Sequence, residues 1–176
     1  MKQRDPACCS PPSRPVCYNC QHLSQFYLRT PAVRECFDVY RVAHERWSSR
    51  FCGHLTRLDW FLVVFVVSGR LIFRTHSWHY ELSPNDMFMF GPGPPVVFAS
   101  DSDDPPEVHV IDFGGAEAER WVNEVFGTTQ TALATGAPNA VLELIHWIER
   151  VARSGEAQVC SEGTRLLLKT LQLTAG

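Results

Sequence analysis

The stretch NDMFMFGPGPPVVF, Asn85 to Phe98, decides how this chain folds. An apolar run with a single acid at its head breaks into a knot of Gly and Pro, then resumes as a second apolar run. MFMF and VVFAS read as strands, and GPGPP as the tight corner between them. SPND (Ser83 to Asp86) is a turn, because Pro84 sets φ and Asn85 tolerates the left-handed region. Some barrels use such a corner to hold a metal, and others use it only to turn the chain.

Strand signals continue on both sides of the corner. FLVVFVVSG, ending at Gly69, closes on a Ser-Gly turn, and RLIFRT follows directly, which predicts a hairpin. WHYEL alternates Trp78, Tyr80 and Leu82 against His79 and Glu81, the pattern of a half-buried strand. Short strands are expected around Phe37–Val42 and Phe51–Leu58. EVHVIDFGG alternates again and ends on two glycines. From Ala116 the period becomes helical. AEAERWVNEVFG stops at Gly127. APNAVLELIHWIERVARSG puts Val141, Leu144, Ile145, Ile148, Val151 and Ala152 on one face, with Asn139 as the expected N-cap and Gly155 as the stop. SEGTRLLLKTLQL is a last helix with Leu167, Leu168 and Leu171 on one face. Strands followed by helices predict a mostly β barrel with a helical appendage.

The totals narrow the class. A chain of 176 residues, 45% apolar and 20% charged, makes one domain and can bury a core. The longest apolar run, WFLVVFVV, is far too short to span a bilayer, so no membrane partner is expected. No apolar stretch follows Lys2 and Arg4, which argues against a signal peptide and makes the cytoplasm the default. Residues 1–50 hold eight Arg/Lys against four Asp/Glu, whereas residues 101–176 hold five against twelve. That acidic second half argues against a nucleic-acid surface there. No nucleophile motif, phosphate loop or dinucleotide fingerprint is present, so no catalytic residue is assigned and no cofactor is expected.

The order of these motifs resembles the N-terminal, cupin-like, effector-sensing domain of AraC-type transcription regulators. That family's pattern is a strand closing on Gly, a Pro-Gly-Asp turn, an apolar strand, a Gly-Pro corner and an aromatic strand ending near Gly. Here Gly69, Pro84-Asn85-Asp86, Gly91 to Pro95 and Phe113-Gly114 stand at those places. The resemblance covers Leu58 to Gly127 well and the flanks loosely. It implies a cupin-like double-stranded β-helix (a jelly-roll barrel) followed by two or three C-terminal helices. The expected division is an irregular Cys- and Pro-rich arm over 1–25, the barrel over 26–115 and a helical dimerisation segment over 116–176. The implied function is effector binding and dimerisation for a bacterial regulator, with DNA bound only through a helix-turn-helix domain absent from this chain. The expected partners are a small-molecule effector and a second copy of the chain. The alternatives are a stand-alone cupin binding protein, or a cupin isomerase or dioxygenase.

Metal-dependent cupins resemble one another in a His-x-His and Glu motif and a last His after the corner. This chain has His76, His79 and Glu81, and Val96 stands where the last His would be. Only His79 and Glu81 share a strand face, so no barrel metal is expected. The metal candidate lies in the arm, where Cys17-x-x-Cys20 beside His22 has the spacing of half a zinc site. Cys8 and Cys9 lie upstream of it.

In sugar-sensing relatives, returning strands of the barrel carry the ligand contacts below an upstream basic residue. The matching candidates are Val96, Phe98, Val108 and Val110, with His54 and Arg57 near the place of the basic residue. Their apolar character points to core, or to a ligand less polar than a free sugar, or to a mixed ligand whose anionic group meets Arg50 or Arg57. Asp112, on the face of Val108 and Val110, is given no catalytic role, and His109 lies on the other face. Dimer contacts are expected at Leu144, Trp147, Ile148, Leu167 and Leu171.

Overall fold

The two apolar runs of the corner stretch lie in different sheets. A computed structural model describes residues 20–28, 37–55, 58–74, 79–93, 95–128 and 130–174. Its strands are β1 (Cys20–Tyr27), β2 (Asp38–Trp47), β3 (Cys52–Leu55), β4 (Phe61–Ser68) and β5 (Leu71–Arg74). After them come β6 (His79–Leu82), β7 (Asp86–Phe90), β8 (Val96–Ser100) and β9 (Glu107–Gly114). Helix α1 (Ala116–Phe126), strand β10 (Gln130–Ala134) and helices α2 (Pro138–Ser154) and α3 (Ala157–Thr174) complete the chain. One sheet has the order β1-β2-β9-β4-β7-β10 and the other β3-β8-β5-β6. The pairings between these strands are antiparallel.

Strand β7 pairs with β4 and β10 in the larger sheet, and β8 pairs with β3 and β5 in the smaller one. The Gly-Pro corner therefore carries the chain across the barrel. Two stacked antiparallel sheets exchanging strands in this way are a jelly roll.

The predicted hairpin at Gly69 is not formed. Strand β4 pairs with β9 and β7, while β5 pairs with β8 and β6. Gly69 adopts φ +75°, with Pro105 and Pro106 packed where a side chain would stand. The next residue is held by the 101–106 loop. Arg70 N–H donates to Asp104 O at 2.8 Å, and Asp101 N–H donates to Arg70 O at 3.1 Å. These bonds pull the chain out of the first sheet and into the second.

Alternation along the strands produces two apolar layers. Ala43, Val64, Val66, Phe73, Phe88, Val96, Phe98, Val108 and Val110 fill the space between the sheets. Val39, Val42, Val63, Phe65, Ile111 and Phe113 point the other way, into a second core shared with the helices. The helices supply Val122, Val141, Ile145, Ile148, Leu167, Leu168 and Leu171 to that core. Gly127 and Gly155 end α1 and α2 in the left-handed conformation, as the sequence predicts. Asn139 is not the N-cap of α2. Ala137 holds that position, and Pro138 starts the helix with a φ already suited to it.

Two strands depart from the sequence reading. Cys20–Tyr27 forms edge strand β1 against β2, within and just beyond the stretch expected to be irregular. Gln130–Ala134 forms β10 inside the expected helical segment, closing the far edge on β7. Both are polar or mixed in sequence, because an edge strand buries little and needs no strict apolar period.

Asn85 has φ 75°, the conformation expected from its place in the turn. Its N–H donates to Val66 O at 2.9 Å, and Asp86 Oδ2 accepts from Ser83 N–H at 2.8 Å. Asn85→Gly is expected to leave stability nearly unchanged. Asn85→Val is expected to lose about 1–2 kcal/mol, because a β-branched residue strains the left-handed region. Urea denaturation of both variants checks this, and equal effects would contradict it.

Candidate ligand site in the barrel

The charged residues of the barrel interior come from β2 and from β9 beside it. In DVYRVAHERW the inward positions are Arg41, Ala43, Glu45 and Trp47, opposite Asp112, Val110 and Val108 of β9. Ala43 is small, so the Arg41 side chain can lie across it to Glu45. Arg41 NH1 donates to Glu45 Oε1 at 2.8 Å, and Arg41 Nε donates to Asp112 Oδ2 at 2.7 Å. Glu45 is buried, and its other oxygen accepts from Trp47 Nε1 at 2.8 Å. His22 Nδ1 of β1 lies 3.2 Å from Glu45 Oε1. One guanidinium thus serves a buried carboxylate, Glu45, and a largely buried one, Asp112, with an imidazole at the edge.

Asp112 Oδ1 is buried and has no hydrogen-bond partner among the described residues. Burial raises the Asp112 carboxyl above the ordinary aspartate range, and Arg41 works against that rise. Burial lowers the Arg41 guanidinium, but the charges and hydrogen bonds of Asp112 and Glu45 outweigh it and hold the group above its ordinary value. A raised acid binds its proton more readily folded than unfolded, so stability falls as pH climbs from about 4 through the folded pKa. The stability of the native chain minus that of Asp112→Asn should therefore decline over this window in pH-dependent urea melts. A difference that rises with pH would contradict the assignment.

Below this cluster the barrel is packed with rings. Trp47 stacks on Phe51 at 4.1 Å, and Phe98 lies 5.5 Å from Trp47, 5.6 Å from Phe51 and 5.8 Å from Phe73. Val96, Phe98, Val108 and Val110 do face the interior together, but as the buried floor under the charged cluster. Gly53 of β3 sits against the Phe98 ring, where any side chain would collide.

The basic residue of the barrel is not one the sequence reading named. His54 is exposed and opposite Val97, on the outer side of β3, so it does not join Val96 and Phe98. Arg57 and Cys17 lie outside the described residues. Arg50 is exposed. The signal for Arg41 was present as alternation of Arg41, Ala43, Glu45 and Trp47, and ending the strand at Val42 cut it short.

Other expected sites divide similarly. Cys20 Sγ stands 3.7 Å from His22 Nε2, and Cys20, His22 and Glu45 form a group with the spacing to ligate a metal. Glu45 in that group is already engaged by Arg41 and Trp47. Ile148, Leu167 and Leu171 are fully buried in the chain's own helix–sheet core, which corrects their assignment to a dimer contact. Leu144 and Trp147 are half-buried against the same core. The exposed apolar residues of α3 are Leu166 and Leu173, 54% and 74% accessible.

A two-sheet barrel with charge buried between the sheets and helices packed on one of them has a cupin-like architecture. Residues 37–169 match the AraC-like ligand binding domain model, and the chain belongs to that family. Its fold is similar to the AraC-like transcriptional activator CuxR, with a TM-score of 0.56 and 11% identity over 77% of this chain and 52% of that one. The chain thus spans about half the length of that activator. It also resembles YhaK from Escherichia coli, with a TM-score of 0.49 and 11% identity over 65% of this chain and 51% of that one. The cupin domain of an XRE family regulator from Enterobacter cloacae aligns with a TM-score of 0.39 and 16% identity, over 53% of this chain and 92% of that one. No curated protein matches the sequence. No described helix is long and apolar enough to cross a membrane.

Proposed function

We propose that this chain is the effector-binding and dimerisation part of a transcription regulator, and that its effector is a small neutral or amine-bearing molecule rich in hydrogen-bond donors. Asp112 Oδ1 carries the ligand class, being a buried acceptor without a partner among the described residues. A donor placed there removes the cost of leaving a buried carboxylate oxygen unanswered. Arg41 already answers two carboxylates, so an anionic effector would meet more negative charge than positive. The excess of negative charge disfavours an anionic ligand meeting Arg50 or Arg57.

The route outward runs through the same strands. Arg41 and Asp112 sit on β2 and β9, whose opposite faces carry Val42, Ile111 and Phe113 against the helices. A ligand that repositions the ion pair biases the packing of the helical layer. In this reading the helices pass the signal to a second copy and to an attached helix-turn-helix domain, and the chain binds its effector without turning it over. The resemblance to an activator of about twice this matched length supports that arrangement.

Titration calorimetry tests the ligand class with neutral monosaccharides and polyols, amino sugars and aromatic carboxylates. A neutral or amine-bearing compound is expected to saturate the chain, and Asp112→Asn is expected to weaken it at least about tenfold, the worth of one charge-assisted hydrogen bond. Binding confined to carboxylates, or binding indifferent to Asp112→Asn, would sink the proposal.

A further inference from the structure

A polar cluster lies on the outer face of the larger sheet, where apolar packing against helices prevails. His44 of β2 and His109 of β9 are direct cross-strand partners. Their rings stack at 4.2 Å with 25° between planes. Glu149 of α2 reaches down to this pair, its Oε1 lying 2.8 Å from His109 Nδ1. His109 is buried, at 2% accessibility. His146, on the preceding turn of α2, meets the His109 ring edge-on at 5.3 Å. One potential ligand atom from each of His44, His109 and Glu149 falls within 4.8 Å of the others.

The surroundings are those of a supported site. His44 Nε2 lies 2.8 Å from Glu107 Oε1, and Glu107 is itself gripped by Arg46, with NH2 at 2.6 Å and Nε at 3.2 Å. A histidine that ligates a metal through one ring nitrogen usually gives the other N–H to a carboxylate, which fixes its tautomer and orientation. The Glu107 bond does this for His44 and leaves its Nδ1 as the ligand atom. Two imidazoles and one carboxylate suit a borderline transition ion and not magnesium or calcium, which take oxygen donors.

We infer that His44, His109 and Glu149 form a binding site for a zinc-class divalent ion, bridging β2 and β9 to α2. On binding, two nitrogens and one carboxylate oxygen coordinate the ion, and His109 ligates as a neutral imidazole through Nδ1, keeping its single proton on Nε2. The ion ties α2 to the sheet from outside the barrel. Metal supply thereby becomes a second input to the helical layer, independent of the barrel effector.

The test uses the full chain, untagged and stripped with chelator, with Cys8, Cys9, Cys17, Cys20, Cys36 and Cys52 changed to Ser so that only the buried Cys160 thiol remains. Zinc and cobalt chlorides are the probes. One ion per chain is expected, with a raised melting temperature. Cobalt should give visible d–d bands without a thiolate charge-transfer band. Glu149→Gln keeps an acceptor beside His109 and should weaken zinc at least about tenfold, as should His44→Ala. Glu107→Gln should weaken it about 10–100-fold, the usual effect of losing an orienting carboxylate. The metal-free melt of Glu149→Gln, expected near that of the parent, separates loss of a ligand from loss of the fold. No binding at micromolar zinc overturns the site. So does a thiolate band, or affinity unchanged in both Glu149→Gln and His44→Ala.

Discussion

Replacing Arg41 with Met is expected to lower the unfolding free energy by about 3–5 kcal/mol, the cost of stranding buried charge. The guanidinium is bonded to Glu45 and Asp112 inside the barrel, and both carboxylates lose their counter-charge together. His22 is a weak substitute, because it touches Glu45 and its side chain is 41% accessible. Chemical denaturation at pH 7 measures the loss. The triple variant Arg41→Met, Glu45→Gln, Asp112→Asn should recover most of it. No charge is then buried, and the amide oxygen introduced by Glu45→Gln still accepts from Trp47. A single-variant loss below about 1 kcal/mol would place the trio among solvent-screened pairs. Failure of the triple variant to recover would locate the cost in packing and not in charge.

Ile148→Ala is expected to cost about 2–5 kcal/mol, the range for truncating a fully buried aliphatic side chain. Ile148 lies in the core shared by α2, α3 and the larger sheet, and Gly163 of α3 is brought against both Trp147 and Ile148. The cavity therefore opens at the crossing of the two helices. Because the site is internal, the loss should be independent of protein concentration. By contrast, Leu166→Glu with Leu173→Glu should leave the melt nearly unchanged, and if α3 pairs with a second copy as proposed, the same variant should read as a monomer in light scattering. Those two residues lie two turns apart on the exposed side of α3, as a second copy would require. A concentration-dependent loss in Ile148→Ala would return that residue to the interface.

Much of the fold was legible before any contact was known. Asn85 was readable as a left-handed turn residue because only a short polar side chain tolerates that region cheaply. Gly127 and Gly155 were readable as helix stops for a related reason. The apolar face of α2 followed from its period, and Val141, Ile145, Ile148 and Ala152 are buried as that period requires. The candidate site was legible only in its floor. Val96, Phe98, Val108 and Val110 announce themselves as inward residues by alternation, whereas a charged residue inside a barrel contradicts the same rule. The same rule hides Arg41, whose alternation with Ala43, Glu45 and Trp47 runs on past Val42, and points to the exposed His54 in its place.

The sequence by itself determined where strands begin, where the chain turns and where helices take over, since those depend on neighbours a few residues away. It also determined the family, since residues 37–169 match the AraC-like ligand binding domain model. Only the tertiary structure decided which sheet each strand joins, as the Gly69 turn shows by leading out of its sheet and not back along it. Only the tertiary structure brought Arg41 to Asp112 across 71 residues, and His109 to Glu149 across 40. A buried charge is stable where its partner is, and that partner is chosen by strand pairing, which no local pattern records.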